Sequence, residues 1–213
     1  MSKYGYVGKE SDIPQQAFKA NAGVLSVNDH LALSQEDKLT QFGQLELIET
    51  QTFSGVTFVD FTDLQESTYN VHFGIWTNQR TDSTNVRQFE MLFYENGVLE
   101  TGNAYEYALQ YGLSTGSFGV IQNTADSALE FAGGTNNNTN ENTNGYFYIY
   151  NAGDNSKFTF VTAHTVRWRG GNATMRFGGG LLPQKSVVDG FRFRNPLTET
   201  IQGTVSLYGI RYS

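Results

Sequence analysis

From Gly43 onward the chain is a series of short stretches in which apolar and polar residues alternate with period two, and no helical 3.6-residue period replaces it. The stretches QLELIETQTF, VTFVDF, YNVHFGIWT, YEYALQYG, SFGVIQNT, SALEFAG, YFYIYNAG, KFTFVTAHTVRWRG, ATMRFGGG, VVDGFRFR and TVSLYGIRYS are punctuated by Gly, Asn, Asp or Pro. Alternation suits a strand with two differently solvated faces. RQFEMLFYENGVLE (87–100) adds a hairpin signal, because Asn96-Gly97 tolerates the positive φ angles of a tight type I′ turn. Ten or more such strands, with no helix between them to cover a parallel sheet, predict an all-β fold. The expected architecture over residues 43–213 is an antiparallel two-sheet β-sandwich of jelly-roll type. Sixteen Phe, twelve Tyr and 23 Gly against three Pro supply half-buried aromatic faces and turns, and the absence of Cys excludes disulfides and thiolate chemistry.

Residues 1–42 read differently. They contain one candidate helical turn, LSQEDKLTQF (33–42), with Ser34 as cap and Asp37 three positions on, and are otherwise polar and aperiodic. Fixing a residue's backbone costs about 1–2 kcal/mol, and the apolar side chains here are few. Such a segment offsets that cost only when clamped between other protein surfaces. It is therefore expected to be an extended docking arm, with Tyr4, Tyr6, Ile13, Pro14, Phe18, Val24 and Leu25 as its contact residues.

Charge is unevenly placed. Residues 1–156 carry −13 and residues 157–213 carry +6, within a net −7. Period-two geometry puts Arg167 and Arg169 of VRWRG opposite Trp168, and Arg192 and Arg194 of FRFR opposite Phe191 and Phe193. The expectation is a guanidinium-bearing outer surface over an aromatic core. Those four arginines either pair with carboxylates of neighbouring strands or form a charged contact between subunits. An acidic protein with a sequence pI near 4.9 is a poor partner for phosphate, so no nucleic-acid partner is expected.

Reactive constellations are weak. Gly112-Leu113-Ser114-Thr115-Gly116 matches G-x-S-x-G, but that motif works as a strand-to-helix elbow, and here it follows a tyrosine-rich strand. His30, His72 and His164 are isolated, and Asp60, Asp63 and Glu66 lack the glycine-bearing loop of a calcium site. No catalytic residue, metal or cofactor is expected. The start MSKYGYVGKE has no apolar signal region and no apolar run approaches membrane length, so neither export nor a membrane partner is expected. Trp76 is the candidate for stacking on a sugar ring, with Trp168 as a second.

The strings YGYVGKESDIPQQAF, NAGVLSVNDHLALSQEDKLTQFGQLELIETQT, RFGGGLLP and TVSLYGIRYS resemble structural proteins of tailed bacteriophages, particularly those infecting marine cyanobacteria. The likeness runs over most of the chain and is strongest at its two ends, while TNNNTNENTNG (135–145) is a variable-looking polar loop. The resemblance implies a protein made in the host cytoplasm and carried in the virion, attached by its N-terminal segment and displaying its sandwich outward as a tail-fibre or capsid-decoration protein does. It implies other virion proteins as partners and a homo-oligomer, a trimer or a higher ring. The sequence reading is accordingly a non-enzymatic virion structural protein. The alternatives are a module binding a host-surface glycan and, behind it, a polysaccharide-degrading appendage enzyme.

Overall fold

The computed structural model describes residues 45–197 and 199–210, apart from the side chain of Arg169. The expected arm, its helical turn and its docking residues Tyr4, Tyr6, Ile13, Pro14, Phe18, Val24 and Leu25 lie outside the described residues. Alternating sequence becomes strand throughout. In chain order these are β1 (Leu45–Val56), β2 (Phe58–Phe61), β3 (Val71–Thr81), β4 (Arg87–Glu95), β5 (Val98–Leu99), β6 (Tyr105–Leu113) and β7 (Phe118–Asp126). They continue as β8 (Leu129–Thr135), β9 (Thr143–Tyr150), β10 (Thr159–Arg169), β11 (Asn172–Leu182), β12 (Val188–Arg194) and β13 (Ile201–Ile210). The β4–β5 turn has Asn96 at φ 50° and Gly97 at φ 79°, as the Asn-Gly pair predicts.

Two antiparallel sheets result. The long one runs β1-β13-β3-β9-β10-β11-β6-β7, and the short one β2-β12-β4-β5 with β8 also on β4. Within them, β1-β13-β3-β9 and β2-β12-β4-β8 are the two halves of a jelly roll: eight strands whose orders, counted along the chain, read 1-8-3-6 and 2-7-4-5. The extra strands are inserted in two connections, β5 to β7 between β4 and β8, and β10 and β11 between β9 and β12. Four of these five extend the long sheet beyond β9, so that it is twice as wide as a jelly-roll half needs.

The core is aromatic. From the long sheet Trp76 lies nearly parallel to Phe147, with centroids 5.7 Å apart, and meets Phe131 of β8 edge-on at 5.1 Å. From the short sheet Phe61 stacks on Phe191 at 4.7 Å and Phe89 on Phe193 at 5.6 Å. Gly74 is required by this packing, since a Cβ there would overlap the tip of the Phe147 ring. His72 is fully buried; its Nε2–H donates to the Leu64 carbonyl at 2.7 Å, and burial lowers its pKa, holding the ring neutral.

Two sequence expectations are corrected here. Trp76 is wholly inside the core and has no face for a sugar, because the parity that turns Val71, Phe73 and Ile75 outward turns His72 and Trp76 in. In VRWRG the faces are reversed: Trp168 is exposed and Arg167 turns inward, where its Nη1 donates to the Gly134 carbonyl. Gly133 of β8 makes the room, as a Cβ there would press on the Arg167 side chain.

Candidate functional site

The sheet faces differ sharply in chemistry. On the outer side of the short sheet, Arg192 reaches Asp60 through Nε and Nη2, both at 2.7 Å, donates to the Tyr94 hydroxyl at 2.9 Å and stacks over Phe58 at 3.6 Å. The hydrogen bonds to Asp60 raise its pKa further above its already high value. Arg194 pairs with Glu90 at 3.2 Å, a carboxyl raised by burial even though Arg194 opposes the shift. Beneath β8, Arg176 meets Glu130 at 2.6 Å with both side chains largely buried. Three arginines of the basic C-terminal quarter thus meet acids of the same chain. For Arg192 and Arg194 the pairing with carboxylates of neighbouring strands is present. For Arg169 nothing is described.

The outer face of the long sheet is its opposite. Strand register sets Ile75, Tyr146, His164, Phe177, Gln110 and Val120 in one row across β3, β9, β10, β11, β6 and β7. The next row holds Asn144, Val166, Met175, Gly112 and Phe118. On the other flank stand Tyr208, Phe73, Tyr148 and Thr162, with Phe73 4.8 Å from Tyr148. Of the fourteen large apolar side chains exposed in the described body, ten lie here: Leu45, Leu47, Phe118, Val120, Tyr146, Phe160, Val166, Trp168, Met175 and Phe177. Charged groups on this face, among the described residues, stand only at its margins, Glu106 at the start of β6 and Arg80 near the end of β3.

The floor of this face is shaped by Gly178-Gly179-Gly180 in β11, the centre of the RFGGGLLP string. Gly178 has φ 153° and a Cβ would strike the Ala108 carbonyl, so a side chain fits neither the backbone nor the space. The bare segment leaves a shallow depression of about 500 Å³ between Tyr150 and Phe160 on one side and Ala108 and Gln122 on the other. The Tyr150 hydroxyl at its rim is engaged with Thr162 Oγ1 at 3.2 Å, and elsewhere on the face Tyr146 meets His164 Nδ1 at 3.3 Å. What remains available to a partner is mainly aromatic and aliphatic surface.

The remaining sequence candidates are placed as follows. Ser114 of the G-x-S-x-G match sits in the β6–β7 hairpin turn and its Oγ accepts from the Ala173 N–H at 3.1 Å. Asp60 is held by Arg192 and Asp63 accepts from Gln65 N–H at 3.1 Å, and among the described residues no group of three His, Asp or Glu side chains could hold a metal ion. The loop expected at 135–145 is shorter, 136–142, and is folded by its own side chains, Asn136 accepting from Asn138 N–H at 2.9 Å and Asn138 from Asn140 N–H at 3.1 Å. Glu95 and Glu100 touch near the β4–β5 hairpin. Burial raises the Glu95 carboxyl, and the Gly102 N–H lowers that of Glu100. Ser186 donates to Glu95 and Gln184 to Glu100 at 3.0 Å, fastening the hairpin to the segment before β12.

The outer face itself is the feature sequence reasoning missed. Its signal was present, since both parities of β9 and β10 are apolar or aromatic in stretches read as one-sided. No family model, no curated protein and no solved structure matches this chain.

Proposed function

We propose that this chain is a non-enzymatic structural component of a bacteriophage particle, attached through its N-terminal arm and presenting a jelly-roll body that works by surface contact. The observation that carries the reading is the outer face of the long sheet: wide, apolar, uncharged inside its margins, and built by strands the jelly roll itself does not need. Contiguous apolar surface on that scale marks a contact site. Pairing of Asp60, Glu90 and Glu130 with arginines supports a structural role, because these carboxylates serve the framework. The resemblance at both chain ends supplies the particle.

The test is to purify particles from a lysate in which this chain is expressed from the phage genome, band them by density, and probe the band with an antibody to the chain. Co-banding that survives high salt is the expected result. Recovery only in the soluble fraction contradicts the proposal.

A second reading, glycan binding, moves from Trp76 to Tyr146, Tyr148 and Tyr150 along β9, whose neighbouring rings are 6.1 Å apart and of which Tyr150 borders the depression. A glycan array with the wild-type chain and Tyr148→Ala checks it, and binding unaffected by the substitution rejects this row as the site.

A further inference from the structure

We infer that the outer face of the long sheet is covered by the same face of another copy of this chain. The inference rests on the reading of the protein as a structural component and names the partner of its contact face.

Area is the first argument. A fully exposed aromatic side chain presents roughly 150–250 Å² and Leu, Val or Met somewhat less, so ten such side chains exposed to between 41% and 71% offer on the order of 1,000 Å². A stable interface needs about 800 Å² per partner. The face is large enough to hold copies together.

Complementarity is the second. An apolar face needs an apolar surface opposite it, and elsewhere on the described body the large exposed apolar side chains are only Val56, Phe58, Val98 and Leu197. Phe58 already lies under the Arg192 guanidinium, and the face it belongs to carries Asp60, Glu90 and Arg194. Among the described residues, the only other surface of matching chemistry is the same face of another copy.

Charge is the third. When a face meets itself about a two-fold axis, a charge near the axis approaches its own copy, so a charge at the centre of the face opposes self-pairing. A foreign partner imposes no such requirement, because it can supply the opposite charge. Among the described residues the carboxylate and guanidinium groups of this face, Glu106 and Arg80, stand at its margins, which leaves its centre compatible with self-pairing. Two faces closing about a two-fold axis, or three turned to a common axis, both satisfy the chemistry.

The full chain is examined by sedimentation equilibrium across protein concentration, beside Val120→Lys/Met175→Lys and a control, Val98→Lys, which places one such charge on the β5 hairpin. All three positions are exposed, so circular dichroism is expected to show unchanged folding. The wild type and control are expected to form one closed oligomer. The double variant is expected to weaken self-association by about a hundredfold or more, as the loss of two apolar contacts and the burial of two like charges imply. A wild type monomeric at all concentrations overturns the inference, as does a double variant that associates like the wild type. Self-association through this face in a chain absent from particles would retain the inference and reject the virion reading, whereas presence in particles of a chain monomeric in solution does the reverse.

Discussion

Removing the cation from the buried pair beneath β8 is the sharpest test of how the basic C-terminal quarter is used. Arg176 Nη1 lies 2.6 Å from Glu130 Oε1 and 3.3 Å from the Ala132 carbonyl, with side chains only 8% and 13% exposed. Arg176→Met leaves the Glu130 carboxylate without its partner in a poorly hydrated site, a change that costs about 3–5 kcal/mol. For a chain of this size that is a fall in melting temperature of about 6–20 °C. The double change Arg176→Met/Glu130→Leu removes both charges and fills the space, and is expected to recover most of the loss. Thermal unfolding followed by circular dichroism reads both effects. A single variant that melts within a degree of the wild type, or a double variant worse than the single, would refute the reasoning that this charge is satisfied inside the subunit.

Further expectations follow from the core and the turns. Trp76→Ala is expected to cost about 3–5 kcal/mol in denaturant unfolding, because the indole packs against Phe147 and Phe131 with no solvent access. Gly74→Ala forces its methyl group against Phe147 and is expected to cost about 1–3 kcal/mol, partly restored by Phe147→Leu. Tyr105→Phe removes the hydroxyl that accepts from the buried Phe93 N–H at 2.8 Å and donates to the Glu100 carbonyl at 3.2 Å, with an expected loss of about 1–3 kcal/mol. The Glu95 carboxyl is raised in the folded chain, so the folded state holds its proton more tightly and that contribution disappears as pH rises through the folded-state pKa. Glu95→Gln is therefore expected to gain stability relative to the wild type as pH rises above about 4, and denaturant melts showing the opposite trend would reject the assignment.

Much of the fold was legible because period two is a local property. Asn96-Gly97 announces its turn, and FRFR announces two faces, which the structure fills with Phe191 and Phe193 inside and Arg192 and Arg194 outside. Alternation does not say which face is covered, however. In VRWRG the residue types suggest Trp168 inside and Arg167 outside, but the neighbouring strand β8 presents Gly133 and the Gly134 carbonyl, which give a guanidinium room and an acceptor. That information sits more than thirty residues away in sequence. Trp76 illustrates the same limit from the other side, since an aromatic on an alternating strand reads equally as platform or core until the partner sheet is in place. The broad outer face was hidden for a related reason. Each strand contributes only a few of its residues, and only the register across eight strands makes them neighbours.

The most direct measurement is hydroxyl-radical footprinting of the full chain at high and low concentration, read at Tyr146, Trp168, Met175 and Phe118, with Phe58 and Val98 as references from the other sheet. Contact between copies through the outer face predicts strong oxidation of the first four in dilute protein and protection of all four on association, with the references unchanged. Oxidation of those four that is the same at both concentrations, whether high or low, would contradict it.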